Sequence, residues 1–211
     1  MSRKTLSALF LAQVRTLIAS SLPSCIEYQF RFQREAILDS ATSMHFEKGE
    51  TPFLPVIPFT YRSFHDQMPM LEIDGKHGKQ GLNDTCGDAC IWKGTKYLHT
   101  SPRYIFKINM GEILNGKSIS ERINELREAG RRPLLTEEVI ALCLHIKPKD
   151  VSLYCHIPDS NERSQRHLIT GPGIDGLDGI GPEFFKGPTV RGLINDIHSP
   201  RGTLRIPSCA I

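Results

Sequence analysis

Apolar residues recur three and four positions apart at the start of the chain. Leu6, Phe10, Val14, Leu17 and Ile18 share one helical face, so the spacing predicts an amphipathic helix over 4–20. A second helix is predicted over 25–40, with Ile26, Phe30, Phe32 and Ile37 roughly on one side. The polar stretch 40–51 reads as a linker. From 53 to 61 the chain is apolar but carries Pro55 and Pro58, which suits an edge strand or an extended segment. Positions 73–81 form a glycine- and lysine-rich loop, and 90–98 and 104–110 read as strands.

The clearest local pattern lies at 118–147. Ser118 followed by Glu121 makes a capping box. Ile119, Ile123 and Leu126 supply the apolar stripe, Gly130 caps the C-terminus, and Pro133 forbids continuation. Thr136 is the predicted N-cap of the next helix. Glu137 and Glu138 sit in its first turn, where the helix dipole favours acids. Leu135 and Ile140 are spaced as a hydrophobic staple, and Val139, Ile140, Cys143 and Leu144 form a face to be buried. This helix ends before Pro148.

Further along, 151–157 reads as a strand. Positions 158–189 are loop-rich, with a glycine run at 171–181, and 190–194 and 202–206 read as closing strands. Helices and strands do not alternate as a doubly wound sheet requires, so the predicted class is α+β. The expected architecture is one globular domain, with a mixed or antiparallel sheet packed by helices. An N-terminal helical appendage at 1–45 precedes the α+β domain at 51–211.

Composition narrows the function classes. At 211 residues, 39% hydrophobic and 23% charged, the chain can bury a core without staples. A net charge of +3 is too mild for a nucleic-acid surface, and aromatics are not interleaved with the basic residues. No apolar run is long enough for a membrane span. Arg3 and Lys4 before Leu6–Leu11 resemble the start of a signal peptide, but Gln13 and Arg15 break the run, which favours the amphipathic helix. The first acidic residue is Glu27, which leaves an organelle-targeting reading open. The cysteines at 25, 86, 90, 143, 155 and 209 show no secreted disulfide framework. They read as reduced thiols of a cytoplasmic protein, with Cys143 and Cys155 buried and Cys209 exposed near the end.

Candidate chemistry is sparse. Gly171, Gly173 and Gly176 match G-x-G-x-x-G, but the residues that follow cannot open the helix that binds pyrophosphate. Asp175 and Asp178 in the same run are weak candidates for a calcium loop. Cys86 and Cys90 are weak metal candidates, because C-x₃-C departs from the usual zinc spacing and has no second cysteine pair downstream. No G-x-S-x-G elbow and no H-E-x-x-H occurs, and no catalytic residue or cofactor is assigned. The 75–81 loop is the better candidate. Glycine turns can form a backbone anion nest, and Lys76, His77 and Lys79 add positive charge. Arg131 and Arg132 form a second basic spot between two helices.

PFLPVIP at 52–58, DQMPML at 66–71, GKHGKQG at 75–81, YIFKINMGE at 104–112 and EAGRRPLLTEEVIALCLH at 128–145 follow in order. This series is similar to a bacterial family of uncharacterised proteins, a domain of unknown function, over about 51–211. The signature residues are Arg131, Arg132, Pro133, Leu134, Thr136, Glu138, Ile140, Ala141 and Leu142. The chain departs from the family in lacking its tryptophan-rich ending, since the one tryptophan is Trp92. The resemblance implies a bacterial, non-secreted protein and carries no activity.

The expected function is a non-catalytic domain that binds a small anionic ligand or a protein partner. The alternatives are an enzyme of unrecognised type using His77 or Cys86, and a metal-supported structural module using Cys86 and Cys90.

Overall fold

The computed structural model describes residues 1–20, 22–58, 60–73, 76–80, 101–115, 117–148, 151–155, 166–169, 189–192 and 204–211. Helix α1 spans Arg3–Ala19, and the Ser2 hydroxyl caps it by accepting from the Thr5 N–H at 3.2 Å. Leu6, Phe10, Val14 and Leu17 are buried as their spacing predicts, whereas Ile18 is 41% exposed. The polar member of the buried face is Gln13, whose amide donates to the Phe53 carbonyl at 2.7 Å.

The single helix expected over 25–40 is two. Helix α2, Ser24–Phe32, ends at Gln33, and helix α3, Arg34–Ser43, begins there. The Gln33 amide donates to the carbonyls of Gln29 and Pro102, both at 3.1 Å, which ties the break to the chain just before the strand that begins at Arg103. α3 takes up the start of the expected linker and buries Ile37, Leu38 and Ala41.

Strand β1, Thr51–Val56, pairs antiparallel with β5, Arg103–Ile108, in the register Phe53↔Phe106 and Pro55↔Tyr104. Among the described residues β1 has no other strand neighbour, and an edge position tolerates Pro52 and Pro55. Phe10, Phe30, Phe53 and Tyr104 meet over this pair, with ring centroids 5.7–6.4 Å apart. One hydrophobic cluster contains residues of α1, α2, α3, β1 and β5 together with Val139–Leu144. The expected boundary at 45–51 therefore does not divide the core. Among the described residues, 1–45 supply 10 of its 29 buried residues rather than standing apart as an appendage, because their apolar faces cover β1 and β5.

Helix α4, Phe64–Gln67, and a 3₁₀ turn, Met68–Met70, lead into the hairpin β2, Glu72–Ile73, and β3, Lys76–His77, followed by β4, Lys79–Gln80. Helix α5, Ile119–Glu128, carries the predicted capping box in full. Ser118 Oγ accepts from the Glu121 N–H at 3.2 Å, and the Glu121 carboxylate accepts from the Ser118 N–H at 2.7 Å. Gly130 follows at φ +66°, the left-handed position that glycine adopts without strain. Strand β6, Arg131–Pro133, then pairs antiparallel with β11, Ser208–Ala210.

Helix α6, Thr136–Ile146, is capped by Leu135 rather than by Thr136. The Glu138 carboxylate accepts the Leu135 N–H at 2.9 Å, so the acid at the third position satisfies a free backbone donor without a hydroxyl cap. Leu134 and Val139 occupy the flanking positions of the staple, and both are fully buried. Every residue from Thr136 to Leu144 is buried, so α6 is a central helix rather than a half-exposed one.

The remaining strands are β7, Ser152–Cys155, β8, Arg166–Ile169, β9, Thr189–Gly192, and β10, Leu204–Arg205. They join β4 in a five-stranded sheet of order β10-β7-β8-β9-β4, antiparallel in the middle and parallel at both edges. The fold is α+β. Its strands are divided among several small sheets rather than one, and β8 lies in a stretch expected to be loop. Among the described residues, no helix is long and apolar enough to cross a membrane.

Candidate functional site

The two arginines of β6 point to opposite sides of the strand, as the alternation of side chains requires. Arg131 reaches Glu50 at 2.5 Å, Ser208 Oγ at 3.0 Å, and the carbonyls of Lys107 and Ser208. The Glu50 side chain is fully buried. Lys107 sits at φ +53° within β5, a left-handed conformation that is uncommon in a strand, and its carbonyl is one of those that Arg131 holds. One guanidinium thus ties β6 to the chain before β1, to β5 and to β11.

Arg132 grips Glu138 with two parallel hydrogen bonds of 2.7 and 2.8 Å. Arg103 of β5 bonds Glu137 at 2.5 Å and Glu138 at 3.0 Å. Burial pushes the Glu138 carboxyl up, but its hydrogen bonds to Arg132 and the charges of Arg132 and Arg103 outweigh that, and the group is held below its ordinary value. Three arginines therefore face three glutamates. A carboxylate held ionised by two cations is poorly suited to proton transfer near neutral pH. The network fastens α6 to β5 and β6.

Cys209 borders the same cluster. It was expected to be an exposed thiol, but pairing of β11 with β6 leaves it 1% exposed. Burial, then the nearby Glu138 charge, pushes the thiol up to about 12, so it stays protonated and unreactive. Cys143 and Cys155 are buried as expected, and Cys25 is exposed.

His77 is exposed on β3, with Nδ1 3.1 Å from the Pro69 carbonyl. The Gly78 N–H is not free for an anion nest. It donates to the Leu71 carbonyl at 2.9 Å, and a Cβ on Gly78 would stand 2.4 Å from the Met68 carbonyl oxygen. The glycine is needed because two backbone segments touch. For Lys76 and Lys79 the backbone alone is described, as part of β3 and β4. The partners of Arg131 and Arg132 come from 50, 107, 133, 138 and 208, so these arginines bind internal groups rather than joining the 76–79 segment. Cys86, Cys90, Asp175 and Asp178 lie outside the described residues, as does the glycine run. Among the described residues no group of three metal-ligating side chains is placed to hold an ion. A cavity of about 10 Å³ between Leu17, Ile57, Gln67, Ile140 and Leu144 has room for about one water molecule.

Among the described residues of the helices and strands, the largest exposed apolar side chains are on α2. Ile26 and Phe30 face the core, while Tyr28 is 66% and Phe32 78% exposed. The two outward rings stack on each other, with centroids 6.2 Å apart and an interplanar angle of 28°. Cys25 lies on the same outward face. Phe32 does not share the side of Ile26 and Phe30 on which the sequence reading placed it. The sequence holds the contrary signal, because 26/30 and 28/32 are two i,i+4 pairs offset by two residues, and such pairs lie on opposite sides of a helix.

No protein-family model, no curated protein and no solved structure matches the chain.

Proposed function

We propose that this protein is a non-catalytic interaction domain that recognises a protein partner through the outward face of α2. The observation that carries this reading is the stacked Tyr28–Phe32 pair, two large aromatic rings held in water beside a well-filled core. Aromatic anchors of this kind concentrate binding energy at interfaces, and rings already stacked lose little freedom on docking. The alternative of a small anionic ligand has less support. Arg131 and Arg132 are engaged by Glu50 and Glu138, and the Gly78 N–H is engaged by Leu71. For an enzyme built on His77, the described neighbour of the ring is a backbone carbonyl rather than an acid. The resemblance over 51–211 supports a bacterial, cytoplasmic setting.

The test is a photo-crosslinking residue at position 28 or 32 of the full chain, irradiated in the cells that produce it. A discrete protein adduct is expected at both positions and none at exposed Thr42 on α3. Equal background labelling at all three positions refutes the reading.

A further inference from the structure

We infer that the α2 face packs against a second copy of this chain, with the two α2 helices antiparallel about a two-fold axis near Tyr28 and Gln29. This rests on the reading of α2 as the recognition surface and names its partner.

Helix geometry sets the face. At about 100° per residue, Cys25, Tyr28 and Phe32 fall within about 60° of one another and define the contact face. One flank of that face carries Glu27 and Arg31, which form an i,i+4 ion pair of 2.7 Å on the surface. The other flank carries Gln29 and Gln33, which are uncharged. A two-fold axis perpendicular to antiparallel helices brings the same flank of each copy together, with its direction reversed. Glu27 then lies beside Arg31 of the partner subunit, and Arg31 beside Glu27 of the partner subunit. Each intrachain pair is extended into a four-membered alternating array. A parallel pair brings opposite flanks together and leaves both ion pairs facing glutamines. The charge pattern therefore selects the antiparallel arrangement, and a self-complementary patch of this type is what an isologous dimer requires.

The same geometry orders the apolar face. Cys25 opposes Phe32 of the partner subunit, and the two Tyr28 rings meet near the axis. The stacked rings are anchors already in place on both sides. A nine-residue helix presents little area, so the interface belongs to the small, transient class below about 1,200 Å² in total. The dimer is therefore concentration-dependent rather than obligate.

Sedimentation velocity on the full chain from about 1 to 500 μM tests this directly. The expected result is a reversible monomer–dimer equilibrium within that range. Phe32→Arg weakens it at least about tenfold while the thermal melt stays unchanged, since the side chain lies outside the core. Glu27→Arg and Arg31→Glu each weaken the dimer by placing like charges opposite, and the double variant restores it. Direction is read by mild oxidation of Phe32→Cys, with peptide mapping of the covalent dimer. A linkage between position 32 and Cys25 supports the antiparallel pair, and a dominant Cys25–Cys25 linkage overturns it. A wild-type chain that stays monomeric at the top concentration overturns the second copy as partner. If photo-crosslinking at 28 and 32 then yields an adduct with a different protein, the α2 face remains the recognition surface and only its occupant changes. If it yields none, both readings fall.

Discussion

The N-terminus of α6 and the outward face of α2 break the same rule in opposite directions. The first takes Glu137 and Glu138 out of water, and Glu50 is buried beside Arg131 nearby. The second leaves Tyr28 and Phe32 in water. The buried charges are answered inside the molecule, by Arg103, Arg131 and Arg132, each with more than one hydrogen bond. Among the described residues, the exposed rings are answered only by each other. A departure from burial whose charges are paired within the chain is part of the fold. One that is left unsatisfied points outward to a partner.

The contrast can be broken by substitution, and the largest effect is expected at Arg131. Arg131→Ala leaves the buried Glu50 without a cation and strands the Lys107 carbonyl, so it is expected to cost about 3–5 kcal/mol in urea unfolding. A loss below about 1 kcal/mol contradicts its role as a fastening point. Phe30→Ala opens the aromatic cluster around Tyr104 and is expected to cost about 3–5 kcal/mol in the same measurement.

Acid sensitivity gives the next effect. Burial lowers His145, in the last turn of α6, from 6.5 to about 4. Between those values the unfolded chain binds a proton that the folded chain does not, so stability falls as pH drops from about 6.5 to about 4. Glu138 acts in the same direction lower down. Its carboxyl is depressed on folding, so its contribution is present above the ordinary carboxylate value and is lost as pH falls through the folded one. Chemical unfolding of His145→Phe across this range is expected to show a shallower slope than wild type. An unchanged slope means that His145 is protonated in the folded protein. The smallest effect belongs to Phe32→Ala, expected within about 0.5 kcal/mol of wild type, two residues from a position that costs several. A loss comparable with Phe30→Ala would show that Phe32 belongs to the core.

Local signals were legible because both partners lie within one turn or one strand. The Ser118–Glu121 box, the left-handed Gly130, the buried face of α1 apart from Ile18, and strand β5 formed where their patterns placed them, and β1 formed at 51–56 rather than 53–61. Where two local signals competed, as at Thr136 and Glu138, the acid capped the helix from its third position and the hydroxyl did not.

By itself, then, the sequence determined the α+β class and the helices whose caps and stripes are local. Tertiary structure alone decided which charges are internal, since Arg131 meets its partners 24, 77 and 81 residues away. It also decided that Cys209 is buried and that 1–45 contributes to the core. The physical reason is common to all of these. Whether a side chain is buried depends on which distant segment covers it, and periodicity within one element records the existence of a face but not what lies against it.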